Sequence, residues 1–167
     1  MILTWQLTSN IENSIIEFLR DKVTAESLQV LDQNGVAKTV NVYAGRQVGN
    51  WDLPLIQIYY DVAPDLFRLE IGSNKRLKSH QIVIEIRTLL SGQELNLSDW
   101  VIEKINDGVD IYDYTPNSLN PDVPAKSLIG HGRVDFVSCV SVPLWDDADV
   151  YDKNRFRITC KIWLNTF

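Results

Sequence analysis

The sequence predicts an α+β fold: a mainly antiparallel sheet of about four to five main strands with two helices packed on one face, plus projecting hairpins. Residues 81–88 alternate between apolar and polar side chains, which is the period of a β-strand. Apolar residues at helical spacing follow Ser91 and Gly92. The 167 residues suit one domain and show no internal repeat or linker, so we expect a single domain over residues 1–167.

The first predicted element is a helix over residues 11–22, after an extended segment over residues 1–8. Ser9 and Glu12 have the spacing of a capping box, in which a hydroxyl accepts from a free N–H and a carboxylate bonds back to the cap. Ile11, Ile15 and Leu19 then recur on one side. We therefore expect an amphipathic helix.

Short strands are predicted next. Residues 28–31 and 37–44 form the arms of a predicted hairpin, because Asn34-Gly35 favours a tight turn. A loop over residues 45–54 leads into a strand over residues 55–61. The alternation that follows indicates a further short strand or hairpin arm over residues 67–71, and then a basic turn over residues 72–78.

The central unit is a strand over residues 79–88 and the helix that follows it. Ile82, Ile84 and Ile86 fall on the apolar side of the strand. Ser91 and Glu94 have capping-box spacing at the start of the helix. Its apolar face is predicted from residues 95, 101, 102 and 105. The glycine at residue 108 is predicted to end the helix. The helix is expected to fold back over the apolar face of the strand.

The last third predicts a long loop over residues 110–132, with one short turn near residues 127–129, and two strands over residues 133–143 and 155–165. A loop of this length is usually functional or mobile. In the strand over residues 133–143, Val134, Phe136 and Val140 share the apolar side, and Cys139 points to the opposite side. In the strand over residues 155–165, Cys160 lies on the apolar side. Because paired residues share a face, no disulfide is expected, and both thiols are predicted to be reduced, as in an intracellular protein.

The net charge of -6 argues against tight binding of nucleic acid, which needs clustered Lys and Arg. The first ten residues lack the positive start and apolar run of a signal peptide. No apolar stretch approaches the length of a membrane-spanning helix, so no membrane association is expected.

No catalytic residue, metal site or cofactor is predicted. A calcium loop starting at Asp147 would need Asp or Asn at 151, Gly at 152 and Glu at 158, and the chain has Tyr, Asp and Ile there. His80, at a strand start, and His131, in the predicted loop, have no zinc spacing with the cysteines. The Gly-His-Gly run at 130–132 leads into a strand, whereas a dinucleotide loop must open a helix.

Three surfaces are predicted to make protein contacts. The basic turn is either a solvated loop or a contact with an acidic partner, and the sequence does not decide between these two interpretations. Trp51 and Trp145 lie in predicted loops, where each suits either an interface or local packing. Trp100 lies on the second helix and favours packing. The candidate interface residues are Arg46, Trp51, Lys75, Arg76, Lys78, Trp145, Asp146, Asp147 and Asp149.

Four segments occur in a characteristic order. They are the capped N-terminal helix, VYAGRQVGNWDLPLIQIYY, IVIEIRTLLSGQELNLSDWVIEKI, and VDFVSCVSVPLWDDADVYDKNRFRITCKIWL. This order, from about residue 10 to the end, resembles the tail terminator (tail completion) proteins of long-tailed bacteriophages, the minor tail protein U-like family. The chain departs from that pattern in the hairpin at Asn34-Gly35 and the Pro-rich segment at residues 110–132.

The resemblance implies a structural virion protein and not an enzyme. It implies a hexameric ring that caps the tail tube, ends tail elongation and offers a surface for head (neck) attachment. The implied partners are further copies of the chain, the tail tube protein and a head-completion or neck protein. DNA would only pass through the channel, past an acidic lumen that repels phosphate. Such a protein would be assembled in the host cytoplasm and reside in the virion.

Two other classes remain open from the sequence. One is another head–tail connector of the neck, or a monomeric binding module. The other is a small enzyme with an unrecognised site, which a deep pocket lined by carboxylates of shifted pKa would favour.

Overall fold

A computed structural model of the chain describes residues 4–45, 53–60, 65–68, 76–114, 126–142 and 154–166. Within these ranges lie two helices and nine strands. In chain order they are α1 (Thr4–Glu26), β1 (Gln29–Leu31), β2 (Ala37–Thr39), β3 (Asn41–Ala44), β4 (Leu55–Tyr60), β5 (Asp65–Arg68), β6 (Arg76–Thr88), α2 (Gln93–Ile105), β7 (Val109–Asp113), β8 (Ser127–Ser141) and β9 (Asn154–Thr166).

The main sheet has the strand order β3-β4-β6-β9-β8-β7, and β5 pairs with β6 beside this path. Every pair in it is antiparallel except β3 with β4. A separate two-stranded sheet is formed by β1 and β2. The α+β class and the mainly antiparallel pairing are therefore confirmed. The sheet has more strands than the four or five predicted, because residues 41–44 and 109–113 each form a strand of their own.

The core lies between one face of the sheet and the two helices. Ile82, Ile84 and Ile86 of β6 are fully buried there, and their register partners in β4 and β9 continue the layer. Full burial of one such side chain is worth about 1.5–3 kcal/mol. The helices contribute Ile11, Ile15 and Leu19 from α1 and Leu97, Val101 and Ile105 from α2. The two helices thus pack on one face, as predicted.

Helix α1 also bonds to both edge strands of the curled sheet. On one edge, the Tyr112 N–H of β7 donates to Ser14 Oγ at 2.9 Å. On the other, Arg20 Nε donates to the Val42 carbonyl of β3 at 3.0 Å. These bonds occupy main-chain groups that an edge strand otherwise presents to solvent or to another chain. The helix therefore joins the two edge strands as well as covering the core.

The predicted boundaries of the first helix were wrong at both ends. α1 begins at Thr4, so the segment predicted as extended is partly helical and Ser9 lies inside the helix. Ser9 Oγ accepts from Asn13 Nδ2 at 3.5 Å, a contact one turn along the helix. The capping-box spacing at Ser9 did not mark the start of the helix, because the N-terminal part of α1 packs near β7, where Asn10 Nδ2 donates to Asp113 Oδ1 at 3.2 Å. The helix continues to Glu26 and is followed by Ser27 with a positive φ of 50°.

The capping box predicted for the second helix is also absent. Gly92 is the N-cap, in a left-handed conformation with φ 90°, and no side chain caps it. Glu94 instead accepts from Thr88 Oγ1 at 3.3 Å. Leu95, which was predicted to lie on the apolar face, is exposed. The buried residues of α2 are Glu94, Leu97, Ser98, Val101 and Ile105. The glycine at residue 108 closes the turn as predicted, with φ 93°.

Both ends of the loop predicted over residues 110–132 are strand, and residues 115–125 lie outside the described ranges. β7 covers Val109–Asp113, with Val109 and Ile111 buried and Asp110 exposed, and β8 begins at Ser127. The apolar–polar alternation of β7 is short and lies beside a run rich in Asp and Asn, so the sequence pattern did not predict a strand there. His131, predicted to lie in a loop, is therefore inside β8.

Two further predictions concern strands β6 and β8. The basic turn was predicted too long, because β6 begins at Arg76 and pairs there with Arg68 of β5. In β8 a register shift between Phe136 and Ser138 changes the side-chain parity, so Val140 is exposed and not on the apolar side. Both cysteines are free, as predicted, with Cys160 buried and Cys139 exposed. The side predicted for Cys139 was wrong, because the same register shift pairs it with Ile158 and so places it on the face of Cys160.

Candidate functional site

Most of the predicted interface residues lie outside the described residues. These are Arg46, Trp51, Lys75, Trp145, Asp146, Asp147 and Asp149. Arg76 and Lys78 lie in the first part of β6, and not in a turn. The structure therefore leaves the three predicted contact surfaces as predictions and brings forward other features of the molecule.

The sheet face opposite the helices carries a buried ion cluster around Glu85. This side chain in the middle of β6 is fully buried. Arg155 Nη2 donates to both carboxylate oxygens, at 2.6 and 2.7 Å. Arg157 donates to Oε1 through Nε at 3.0 Å and Nη2 at 2.7 Å, and Tyr59 Oη donates to the same oxygen at 2.7 Å. Arg87 Nη2 lies 3.5 Å from Oε2.

The register explains how this cluster forms. Glu85 is paired with Arg157 in β9 and Gln57 in β4, and Arg87 with Arg155. Burial by itself raises the pKa of Glu85, but the bonds from Arg155, Tyr59 and Arg157 outweigh it and lower the pKa to about 2. The carboxylate is therefore ionised at neutral pH. It ties three strands together on the face that the helices leave open.

An apolar groove lies on the helix side, between β1 and the first turns of α2. Its volume is about 470 Å³, and its apolar lining is Leu28, Val30, Leu31, Leu90, Leu97 and Trp100. Gln93 Nε2 donates to the Leu31 carbonyl at 2.7 Å and holds β1 against α2. Trp100 Nε1 donates to Glu26 Oε2 at 2.8 Å, which fixes the indole ring. The packing role predicted for Trp100 holds, and its ring also forms a wall of this groove.

The end of β8, residues 137–141, is exposed throughout and is called the β8 tip here. β7 pairs only with residues 127–132 of β8, so among the described strands β9 alone accompanies the tip. Val137 and Val140 are 55% and 49% exposed. These two apolar side chains on an edge segment form a candidate contact surface.

A small cavity of about 210 Å³ lies between α1, β7 and β8, and Glu17 and His131 are among its lining residues. Lys126 Nζ lies 2.7 Å from Glu17 Oε2, and Tyr114 Oη donates to the same oxygen at 2.6 Å. These contacts, from Lys126 first, lower the pKa of Glu17. A general acid at neutral pH needs the opposite shift, so Glu17 acts here as an ion-pair partner.

His131 joins β8 to the turn after α2. Its Nδ1 is 3.0 Å from Asp110 Oδ1, and its Nε2 is 3.0 Å from the carbonyl oxygen of Asp107. Both contacts favour the protonated ring, and the pKa of His131 is raised, mainly by Asp110 and then by Asp107. His80, by contrast, is buried in β6 with Nδ1 bonded to Tyr60 Oη. Both histidines therefore make contacts within the chain.

In the part of the chain that the structure describes, no three His, Cys, Asp or Glu side chains are grouped so that they could hold a metal ion. Neither described helix has the length and apolar content to cross a membrane. Comparison with models of known protein families and with curated proteins finds no match.

The alternation over residues 81–88 puts Glu85 and Arg87 on the polar side of the central strand, but it does not connect them with Arg155 and Arg157. A signal existed: the two arginines share a parity in the last strand, as residues on one face must. The groove had no such signal, because it depends on how β1 docks against α2. The β8 tip was missed because of the register shift after Phe136.

Proposed function

We propose that the chain is a structural virion protein that forms a hexameric ring on the tail tube of a long-tailed bacteriophage. The ring would cap the tube, end tail elongation and offer a surface for attachment of the head through a neck protein. The proposal starts from the order of sequence segments that resembles the tail terminator family. The α+β fold with its mainly antiparallel sheet is compatible with it.

One observation supports the proposal further: the described subunit exposes large apolar side chains on two separate surfaces. One is the groove between β1 and α2, where Leu31 is 54% exposed, and the other is the β8 tip with Val137 and Val140. Val36, Leu95 and Leu128 are also exposed but lie outside both surfaces. A subunit that joins neighbours on two sides would cover surfaces of this kind. Rings are built in this way, from two different patches on each subunit.

The charge distribution fits a channel that DNA passes without being held. The chain carries a net charge of -6, which repels phosphate. The arginines around Glu85 lie on the face opposite the helices. We expect that face to point away from the lumen, because three guanidinium groups there are balanced by the single Glu85 carboxylate and the remaining positive charge would attract the DNA backbone.

The proposal is tested with purified tail tubes that lack a terminator, mixed with this protein and viewed by electron microscopy. Native mass spectrometry of the protein, alone and released from tubes, gives the subunit number. We expect a six-membered ring at one tube end and no further growth when tube protein is added. Rings that form but do not bind tail tubes would favour another connector protein of the neck. A protein that stays monomeric both alone and with tubes would refute the ring, and would favour a binding module.

A further inference from the structure

We propose that the β8 tip of one copy docks into the apolar groove between β1 and α2 of the next copy. This contact rests on the ring-forming function proposed above and names the two surfaces that would build the ring. The occupant of the groove is thus a second copy of this chain, and the contact is heterologous because the two surfaces differ.

The two surfaces match in chemistry. The groove is lined mainly by aliphatic side chains and one face of the Trp100 indole, with Gln93 and Asn96 at its polar margin. The tip offers Val137 and Val140, with Ser138 and Ser141 beside them. Both surfaces are therefore apolar at the centre, and burial of these centres against each other is favourable. Charged side chains lie beside them, because Val140 is paired with Arg157 and Trp100 Nε1 donates to Glu26. Both charges already have partners within the subunit, Glu85 for Arg157 and Lys104 for Glu26.

The two surfaces also match in size. The groove is bounded by β1, which has three residues, and by the first two turns of α2. Each wall is therefore about 10 Å long. The tip has five residues, and its segment from Val137 to Val140 spans about 10 Å. A groove of about 470 Å³ has room for side chains of this size.

The position of the two surfaces suits a ring. Ser141 of the tip is paired with Phe156, which is paired with Ile86 near the end of β6. The groove lies at the same end, because Leu90 follows the end of β6 at Thr88. A ring contact needs two patches at one height along the axis, and these share an end of the sheet.

The same patches lie on different flanks of the subunit. The Val40 N–H donates to the Leu28 carbonyl at 3.2 Å, which links the groove to the flank that carries β3. β4, β6 and β9 separate β3 from β8. At about 4.8 Å per strand this is on the order of 20 Å along the sheet. The tip is thus placed to meet the groove of a neighbouring copy.

The experiment uses charge insertion with matched controls. We expect Val140→Asp in the tip and Leu31→Asp in the groove each to weaken self-association more than tenfold, measured by analytical ultracentrifugation, with tubes present if assembly needs them. The control Leu128→Asp lies on the same strand as the tip, at its other end, and is equally exposed. Val36→Asp is exposed beside β2 but does not line the groove. Both controls should change association less than threefold, and thermal melts report whether each variant folds.

A cysteine pair gives the second measurement. In a Cys139→Ser background, Val140→Cys and Leu31→Cys in one chain should form disulfides between copies, giving a ladder of cross-linked species under mild oxidation. Leu128→Cys with Val36→Cys should give none. Rings that form without the ladder, or that respond equally to all four aspartate variants, would overturn this contact and leave the ring intact. A protein that is monomeric under every condition, with and without tubes, would overturn both.

Discussion

Replacement of Glu85 by glutamine removes one negative charge from the sheet face opposite the helices and preserves the size of the side chain. In the folded protein, Glu85 accepts hydrogen bonds from Arg155, Arg157 and Tyr59. The amide of glutamine retains one acceptor oxygen and carries no charge. The variant therefore leaves partly buried guanidinium groups facing a neutral partner, which is the costly way to break such a pair.

The size of the effect follows from the pKa of Glu85, which is about 2 in the folded protein against 4.5 for the unperturbed group. A difference of about 2.5 pKa units corresponds to about 3 kcal/mol, at about 1.36 kcal/mol per unit. This is near the lower end of the ~3–5 kcal/mol lost when one partner of a buried pair is removed. We expect Glu85→Gln to lower the free energy of unfolding by about 3 kcal/mol at neutral pH.

The pH dependence has a defined sign. Because the folded-state pKa is lowered, the contribution of the carboxylate is fully present above the unfolded-state pKa and is lost as pH falls from about 4.5 to about 2. The difference in stability between wild type and Glu85→Gln should therefore be constant from about pH 5 upward and shrink through that acid range.

Urea unfolding followed by tryptophan fluorescence, at one fixed protein concentration, measures both quantities. Glu103→Gln is the matched control, since this exposed carboxylate on α2 lies 3.3 Å from Lys104 and such surface pairs contribute little. A loss below about 1 kcal/mol for Glu85→Gln, or a difference that stays constant down to about pH 2, would refute the assigned role of Glu85.

Three further predictions follow from local geometry. Gly108→Ala should lower the free energy of unfolding by about 1–3 kcal/mol in urea, because φ is 93° and the added Cβ would clash with the His131 ring. Gly35→Ala is the control: φ is 76° but no atom lies within 4 Å of the added Cβ, so the loss of stability should be smaller. Burial raises the pKa of Cys160 to about 12, so thiol titration of the native protein should modify the exposed Cys139 alone, and Cys160 should react only after unfolding. The ring of His131 should titrate by NMR above its ordinary value of 6.5, and Asp110→Asn should bring it back toward that value. The raised pKa means that this contact contributes fully below the unfolded-state pKa of about 6.5 and is lost as pH rises through the folded value.

The sequence predicted the parts of the fold that depend on local periodicity. The alternation of Ile82, Ile84 and Ile86 placed the central strand, and Asn34-Gly35 placed the first hairpin turn, where residue 35 has a φ of 76°. The parity of Cys160 in the last strand predicted its buried thiol. These features follow from the period of the backbone and need no knowledge of distant contacts.

The predictions that failed depend on tertiary contacts. Ser9 and Glu12 have the spacing of a cap, but α1 runs through them because its N-terminal part packs near β7, where Asn10 Nδ2 donates to Asp113 at 3.2 Å. Gly92 rather than Ser91 starts α2, which turned the buried face away from Leu95. The groove and the Glu85 cluster join residues that lie far apart in sequence, so spacing alone does not reveal them.

The double attachment of α1 affects how copies of this chain can meet. At Val42 and Tyr112, main-chain groups of the two outer strands are already engaged within the subunit. Neighbouring copies are not expected to merge into one continuous sheet through these positions, which is how open strand edges polymerise without limit. In the proposed ring, contact between copies would then depend on discrete side-chain patches, and growth would end where the rotation between copies closes the circle.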